Sequence, residues 1–182
     1  MGECFFENFV RRVESLPGVQ SAAVTLTLPA TGWAGTPVQV VGQPLAKLNE
    51  RPIATISTVT PGYFRTLEIP LQRGREFNEQ DIADAQRVAV IDEALARRFW
   101  PEYPLGQDPI GQSLLVGGVN PKPAQIVGIA AHVHQNLENT TWPETVYVAY
   151  AQSPQPAAML AVRTESAPLS FTAGPEPFAG TE

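Results

Sequence analysis

Proline sets the limits of this fold. The chain carries 18 prolines and 14 glycines among its 182 residues. Proline lacks a backbone donor and disrupts helix interiors, so elements here must be short and punctuated, which favours strands with tight connections over a helical bundle. Hydrophobic residues make up 43% and charged residues 16%. That mix supports a buried core and fits one domain, or one domain with two small lobes.

Periodicity places the elements. Phe6, Phe9, Val10, Val13 and Leu16 recur at spacings of three and four, predicting an amphipathic helix with Arg11, Arg12 and Glu14 towards water. Pro17-Gly18 stops it. Alternation then predicts a strand over Val19 to Leu28, a short strand at Val38–Val40, and a strand over Arg51 to Thr60. Thr60-Pro61-Gly62-Tyr63-Phe64 reads as a short helix with Thr60 as its cap. Leu71 to Phe77 reads as a strand end and turn, and Val88 to Ile91 as a small buried strand. Asp92 caps a helix carrying Leu95, Phe99 and the C-terminal cations Arg97 and Arg98, closed by Trp100-Pro101. Further strands are expected at Ser113–Val116, Ala124–His134 (the longest), Thr145–Tyr150 and Met159–Thr164. About three helices and seven or eight strands, without strict βαβ alternation, predict an α+β fold with mixed sheet and a few short helices. Residues 165–182 have no period and are expected to be an irregular or disordered tail, leaving 1–164 as the domain.

Charge excludes some functions. Twelve Lys and Arg stand against 18 Asp and Glu, a net charge of −6, and beyond Arg98 the only basic residues are Lys122 and Arg163. Nucleic-acid binding needs a dense basic face and is ruled out. One cysteine, Cys4, excludes an internal disulfide and a cysteine-rich zinc site. No window approaches the length of a membrane-spanning helix, and MGECFFENFV is acidic where a signal peptide is basic. The isolated chain is expected to be soluble, with no export signal.

Catalytic motifs are missing. There is no phosphate loop, and Gly111-Gln112-Ser113-Leu114-Leu115 lacks the second glycine of a nucleophile elbow. Cys4 has no adjacent base. His132-x-His134 is the one metal-like pair, because side chains two apart on a strand share a face, and Glu138 or Glu144 would be third ligands by proximity. The plainer expectation is two polar side chains on the exposed face near a strand's end, with Ile126 and other apolar residues serving the core. Glu76, Glu79, Asp81 and Asp84, after Arg73 and Arg75, read as a solvated turn and lack calcium-loop spacing. Trp100 and Trp142 are expected to pack against the sheet or a loop. Trp33, Tyr63 and Phe64 are candidates for a protein–protein patch if exposed.

Five strings then stand in compatible order and spacing: FVRRVESLPGVQSAAVT, VTPGYFRTLEIPLQRGREF, VAVIDEALARRFWPEYPLGQDPIGQSL, AQIVGIAAHV and PETVYVAYAQ. Together, from about residue 5 to residue 164, they resemble the MacB-like periplasmic core domain of FtsX-type ABC-transporter permeases, particularly the acidobacterial duplicated-permease branch. The resemblance implies an extracytoplasmic domain inserted between the first two membrane helices of a permease, on the periplasmic side of the inner membrane. It implies partnership with the rest of the permease, its ATPase, an adaptor protein and a second copy. It implies a non-catalytic module that binds partners and transmits ATP-driven motion, with no catalytic, cofactor-binding or metal residues. On this reading the two chain ends, where membrane helices would attach, should lie on one side of the domain. The family continues into another amphipathic helix after its equivalent of Val162-Arg163-Thr164, where this chain reads PLSFTAGPEPFAGTE. With no membrane helices, the chain is expected to be an excised domain, a truncated product or a remnant. The alternatives are a free-standing soluble binding protein that reuses the domain, or a metal-dependent hydrolase using His132 and His134.

Overall fold

The computed structural model describes residues 5–29, 34–133 and 144–165. Cys4, Trp33, His134, Glu138 and Trp142 lie outside the described residues, as does the expected tail beyond Glu165. In chain order the elements are α1 (Phe5–Glu14), β1 (Val19–Thr25), β2 (Gly35–Val40), β3 (Ile53–Val59), α2 (Tyr63–Thr66), β4 (Leu71–Gly74), β5 (Val88–Asp92), α3 (Glu93–Phe99), β6 (Ser113–Val116), β7 (Lys122–Ala130), β8 (Thr145–Ala149) and β9 (Met159–Thr164). The mixed sheet with a few short helices is the predicted class, with nine strands among the described residues.

Six of the strands close on themselves. The order β2–β6–β7–β5–β8–β3 returns to β2, because β2 serves two neighbours. Its first half, Gly35–Pro37, pairs with β3, and its second half, Val38–Val40, pairs with β6. The pairs β3–β8 and β5–β7 are parallel and the others antiparallel. A ring of this size has room inside only for side chains. Val38, Ala54, Ile91, Leu114, Ile126, Ile129 and Val146 form one buried cluster with Leu95, Ala96 and Trp100 from α3 and its end. Alternation along β5 sends Val88 and Val90 the other way, into a second cluster with Tyr63, Phe64, Phe77 and Tyr147 under α2.

Outside the ring, β1 and β9 form an antiparallel ribbon running from Val19↔Thr164 to Thr25↔Met159. Its ladder meets the ring at one register pair, Thr25↔Val59. Val10 of α1 is buried on Ala22 and Val24, flanked by Phe6 and Val13. One sheet runs through both the ring and this ribbon.

Three local readings need correction. Thr60 does not cap α2. The cap is Gly62, left-handed at φ +83 with no side-chain bond, while the Thr60 hydroxyl accepts from Val24 N at 2.9 Å and ties β1 to the ring. β7 stops at Ala130, short of His134: Ala131 N still donates to Pro70 O at 2.8 Å beside β4, but a proline has no N–H to return the second bond of the pair. β1 stops at Thr25 rather than Leu28; the Thr25 hydroxyl donates to Thr27 O at 2.9 Å and bends the chain.

β4 lies against β7 at a close crossing. A Cβ on Gly128 would stand 2.3 Å from Arg75 O, and one on Gly74 would stand 2.2 Å from Val127 O. Both positions therefore require glycine for backbone approach.

Candidate functional site

The most elaborate polar centre gathers where β5, α3, β7 and β8 meet. Asp92 is completely buried. Its Oδ1 accepts from Leu95 N at 2.8 Å, which is the helix cap expected from sequence. Its Oδ2 accepts from Thr145 N at 2.9 Å and lies 2.5 Å from His132 Nδ1. One carboxylate thus joins the start of α3, the start of β8 and the residue just past β7. Glu144 adds a second tie, accepting from Arg98 Nη1 at 2.9 Å.

The electrostatics of the pair are coupled. The hydrogen bond it donates to Asp92 holds the His132 imidazolium above the ordinary histidine range, against burial; the charges of Asp92, Glu144 and Glu93 act in the same direction as that bond. Burial pushes the Asp92 carboxyl up, against donors that favour its ionised form.

His132 is therefore a half-buried partner of a buried acid rather than an exposed side chain on a strand. Glu144, a proposed third ligand, is engaged by Arg98. Among the described residues no three His, Cys, Asp or Glu side chains are grouped so as to hold a metal ion. Sequence reasoning found the cap and the histidine separately. Their union was hidden because 40 residues separate them and each satisfies a local pattern alone.

The acidic segment is not a fully solvated turn. Arg75 grips Asp81 with both terminal nitrogens at 2.8 and 2.9 Å, and Asn78 N donates to the same carboxylate at 2.9 Å. Asp81 is buried as a result. Desolvation also pushes the Glu76 carboxyl above its ordinary range, opposed by the nearby Arg65 charge and the Gly62 amide. Glu76 borders an open depression of about 300 Å³ between α1 and the start of α2, together with Glu7, Arg11, Glu14, Arg65 and Phe77.

Tyr63 and Phe64 are buried in the second cluster, which removes them from any surface patch. Trp100 is buried against the ring core beside Phe99, as expected. The two ends of the described chain both lie along the ribbon but not together. Phe6 contacts Tyr150, beyond the end of β8 that neighbours Val59, while Thr164 pairs with Val19 at the far end of β1. The expectation that the ends share one side holds for the margin of the sheet and fails along its length.

No helix among the described residues is long and apolar enough to cross a membrane. The family described as MacB-like periplasmic core domain matches residues 6–169. A macrolide export ATP-binding/permease protein, MacB, from Sodalis glossinidius is 28% identical over 130 residues, covering 71% of this chain and 19% of that protein. A probable export ATP-binding/permease protein from Pseudomonas fluorescens is 31% identical over 97 residues, 53% of this chain and 14% of its own length. The chain thus spans less than a fifth of these relatives. Among solved structures, the periplasmic region of MacB from Actinobacillus actinomycetemcomitans superposes with a TM-score of 0.61 at 14% identity, over 94% of this chain and 76% of that one. The extracellular domain of the noncanonic ABC-type transporter YknZ from Gram-positive bacteria gives 0.60 at 17% identity, over 91% and 76%. The architecture and the matched residues agree: the chain belongs to the MacB-like periplasmic core domain family, the extracytoplasmic part of MacB/FtsX-like ABC permeases.

Proposed function

We propose that this domain is a non-catalytic coupling module. It binds partner proteins on the extracytoplasmic side and relays movement driven by a cytoplasmic ATPase. Its partners would be the remaining parts of an ABC export permease, the ATPase, an adaptor protein and a second copy of itself. The observation that carries this reading is the division of the fold. A hydrogen-bonded ring makes one firm body; the described chain begins in α1, packed on β1, and ends in β9, and the β1–β9 ribbon meets that ring in its ladder at the pair Thr25↔Val59. Movement delivered through β9 would reach the ribbon first and the ring second, while α1 touches both β1 and Tyr150, just past β8. Asp92, which on another scaffold could orient a catalytic histidine, here also holds two backbone amides and so serves as a joint.

The test is a chimera in which this domain replaces its counterpart in a MacB-type permease. The expected result is membrane assembly with ATP hydrolysis still coupled to export. Linking ribbon to ring with an engineered disulfide should uncouple export while leaving ATP binding intact. Full export by the locked chimera, or turnover of a small compound by the purified chain alone, would overturn the reading.

A further inference from the structure

The ribbon and α1 together make an arm that is fixed at one end. Phe6 of α1 meets the ring of Tyr150 edge-on, just past β8, and Thr25 of β1 pairs with Val59 of β3. Val59 is itself the partner of Ala149, so both attachments lie at the same end of β3 and β8. From there the arm runs out to Glu14 of α1, whose Oε1 accepts from Ala22 N at 3.2 Å, and to Ser21 opposite Arg163.

Small side chains line the underside of this arm. Ser21, Ala23 and Thr25 share one face of β1, and Ala23 is buried with Tyr63 and Phe64 of α2. Directly opposed residues share a face, so Ala161 and Arg163 of β9 point the same way. Larger apolar side chains, Val10 and Val24 among them, lie on the other face under α1. Alanine and serine give α2 little to interlock with.

Charge makes the remaining connections. Arg163 donates from Nε to Thr66 O at 3.0 Å and pairs with Glu68, just past α2. Glu14 pairs with Arg65 of α2 at 3.3 Å, and Arg11 with Glu79 at 3.8 Å. Arg11, Glu14, Arg65 and Glu79 all border the depression of about 300 Å³, so two of the three pairs span an open cleft. The Glu68 and Glu79 side chains are 73% and 84% exposed. Glu68 is also out of its ordinary setting. Its φ is +53, the left-handed conformation that glycine or asparagine usually supplies after a helix. A glutamate there opposes its own backbone preference, and the side chain it brings grips Arg163.

We propose that these ion pairs are a clasp: α1, β1 and β9 pivot as one arm about Thr25 and Tyr150, and the free end lifts from α2 when the pairs are screened or pulled apart. Exposed ion pairs are weak singly and are screened by salt. An arm held in this way stays down at rest and lets go under modest tension. The clasp deepens the coupling role proposed above and rests on it for the source of that tension.

The test is single-molecule energy transfer in the full 182-residue chain carrying Cys4→Ser, with dyes on Gln20→Cys at the free end and Leu105→Cys beyond α3. Both sites are exposed. The expected result is one transfer efficiency in about 0.05 M salt and a second population that grows roughly tenfold in about 1 M salt. Arg163→Glu should raise that population at least tenfold in low salt, and adding Glu68→Arg should restore the resting state. Glu68→Gly removes the carboxylate but suits the left-handed backbone, so it should loosen the arm about threefold with little change in melting temperature. A single efficiency unchanged across salts and variants would overturn the clasp. So would a Glu68→Gly chain that melts markedly earlier, or a charge swap as loose as Arg163→Glu alone. An arm that never lifts leaves the chimera free to succeed, and a failed chimera leaves lifting measurable on the purified chain, so the two readings fall separately.

Discussion

Asp92→Ala should be among the costliest single polar substitutions in the domain. The carboxylate satisfies three donors while fully buried. Loss of the helix cap is worth about 1 kcal/mol. Stranding the buried Thr145 amide adds about 1–3 kcal/mol, and the charged bond to His132 is worth about 1.5–3 kcal/mol. The three share one group and do not add fully, so a total of about 3–5 kcal/mol is expected. Asp92→Asn should recover only part of this. An amide has one acceptor oxygen, and the site presents donors to both positions, so either orientation sets N–H against N–H. His132→Gln isolates the third bond and makes the argument testable by pH. The folded-state pKa of His132 is raised above its unfolded value of about 6.5. The ionic contribution is therefore complete below about pH 6.5 and is lost as pH rises through the folded value. Urea unfolding followed by tryptophan fluorescence should show His132→Gln costing more at pH 6 than at pH 9. A cost below about 1 kcal/mol for Asp92→Ala, or equal costs for His132→Gln at the two pH values, would refute the three-way joint.

Other substitutions probe other parts of the frame. Gly128→Ala forces a Cβ against the Arg75 carbonyl and should destabilise by about 1–3 kcal/mol or more, with β4 detaching first in hydrogen exchange. Thr60→Val keeps the shape but strands the Val24 amide; a loss of about 1–3 kcal/mol in chemical denaturation is expected, with faster exchange along β1 than in the ring. Asp81→Ala frees a half-exposed Arg75 and the Asn78 amide; about 1–2 kcal/mol should be lost in thermal unfolding, and little loss would mean the ion pair is already screened.

What could be read from the chain followed the range of each interaction. The stripe of α1, the cap at Asp92 and the strands at β5, β6, β8 and β9 depend on neighbours within a few residues, and pattern suffices for these. The closing of the ring does not. β2 divides its hydrogen bonds between strands that begin at Ile53 and Ser113, and no local pattern announces that. The glycines at 74 and 128 are similar: each looks like an ordinary turn or strand glycine until the backbone opposite it is placed. Thr60 misled because Thr-Pro-Gly is a plausible helix start, and a tertiary acceptor role for its hydroxyl outweighed the cap. At the candidate site the residues were visible singly. His132, Glu144 and the acidic run each suggested exposed polarity, and only the fold showed that their partners were Asp92, Arg98 and Arg75.

The closed circuit of strands also sets how the domain yields under load. Distorting any part of a ring strains bonds all the way round, so it transmits a push almost as a solid would. The ribbon has no such closure, and its ladder joins the rest of the sheet around the pair Thr25↔Val59, through Leu26 N to Thr58 O and Thr60 N to Val24 O. Tension arriving at that margin should bend the molecule at this junction first, as a door gives at its hinge before its panel warps.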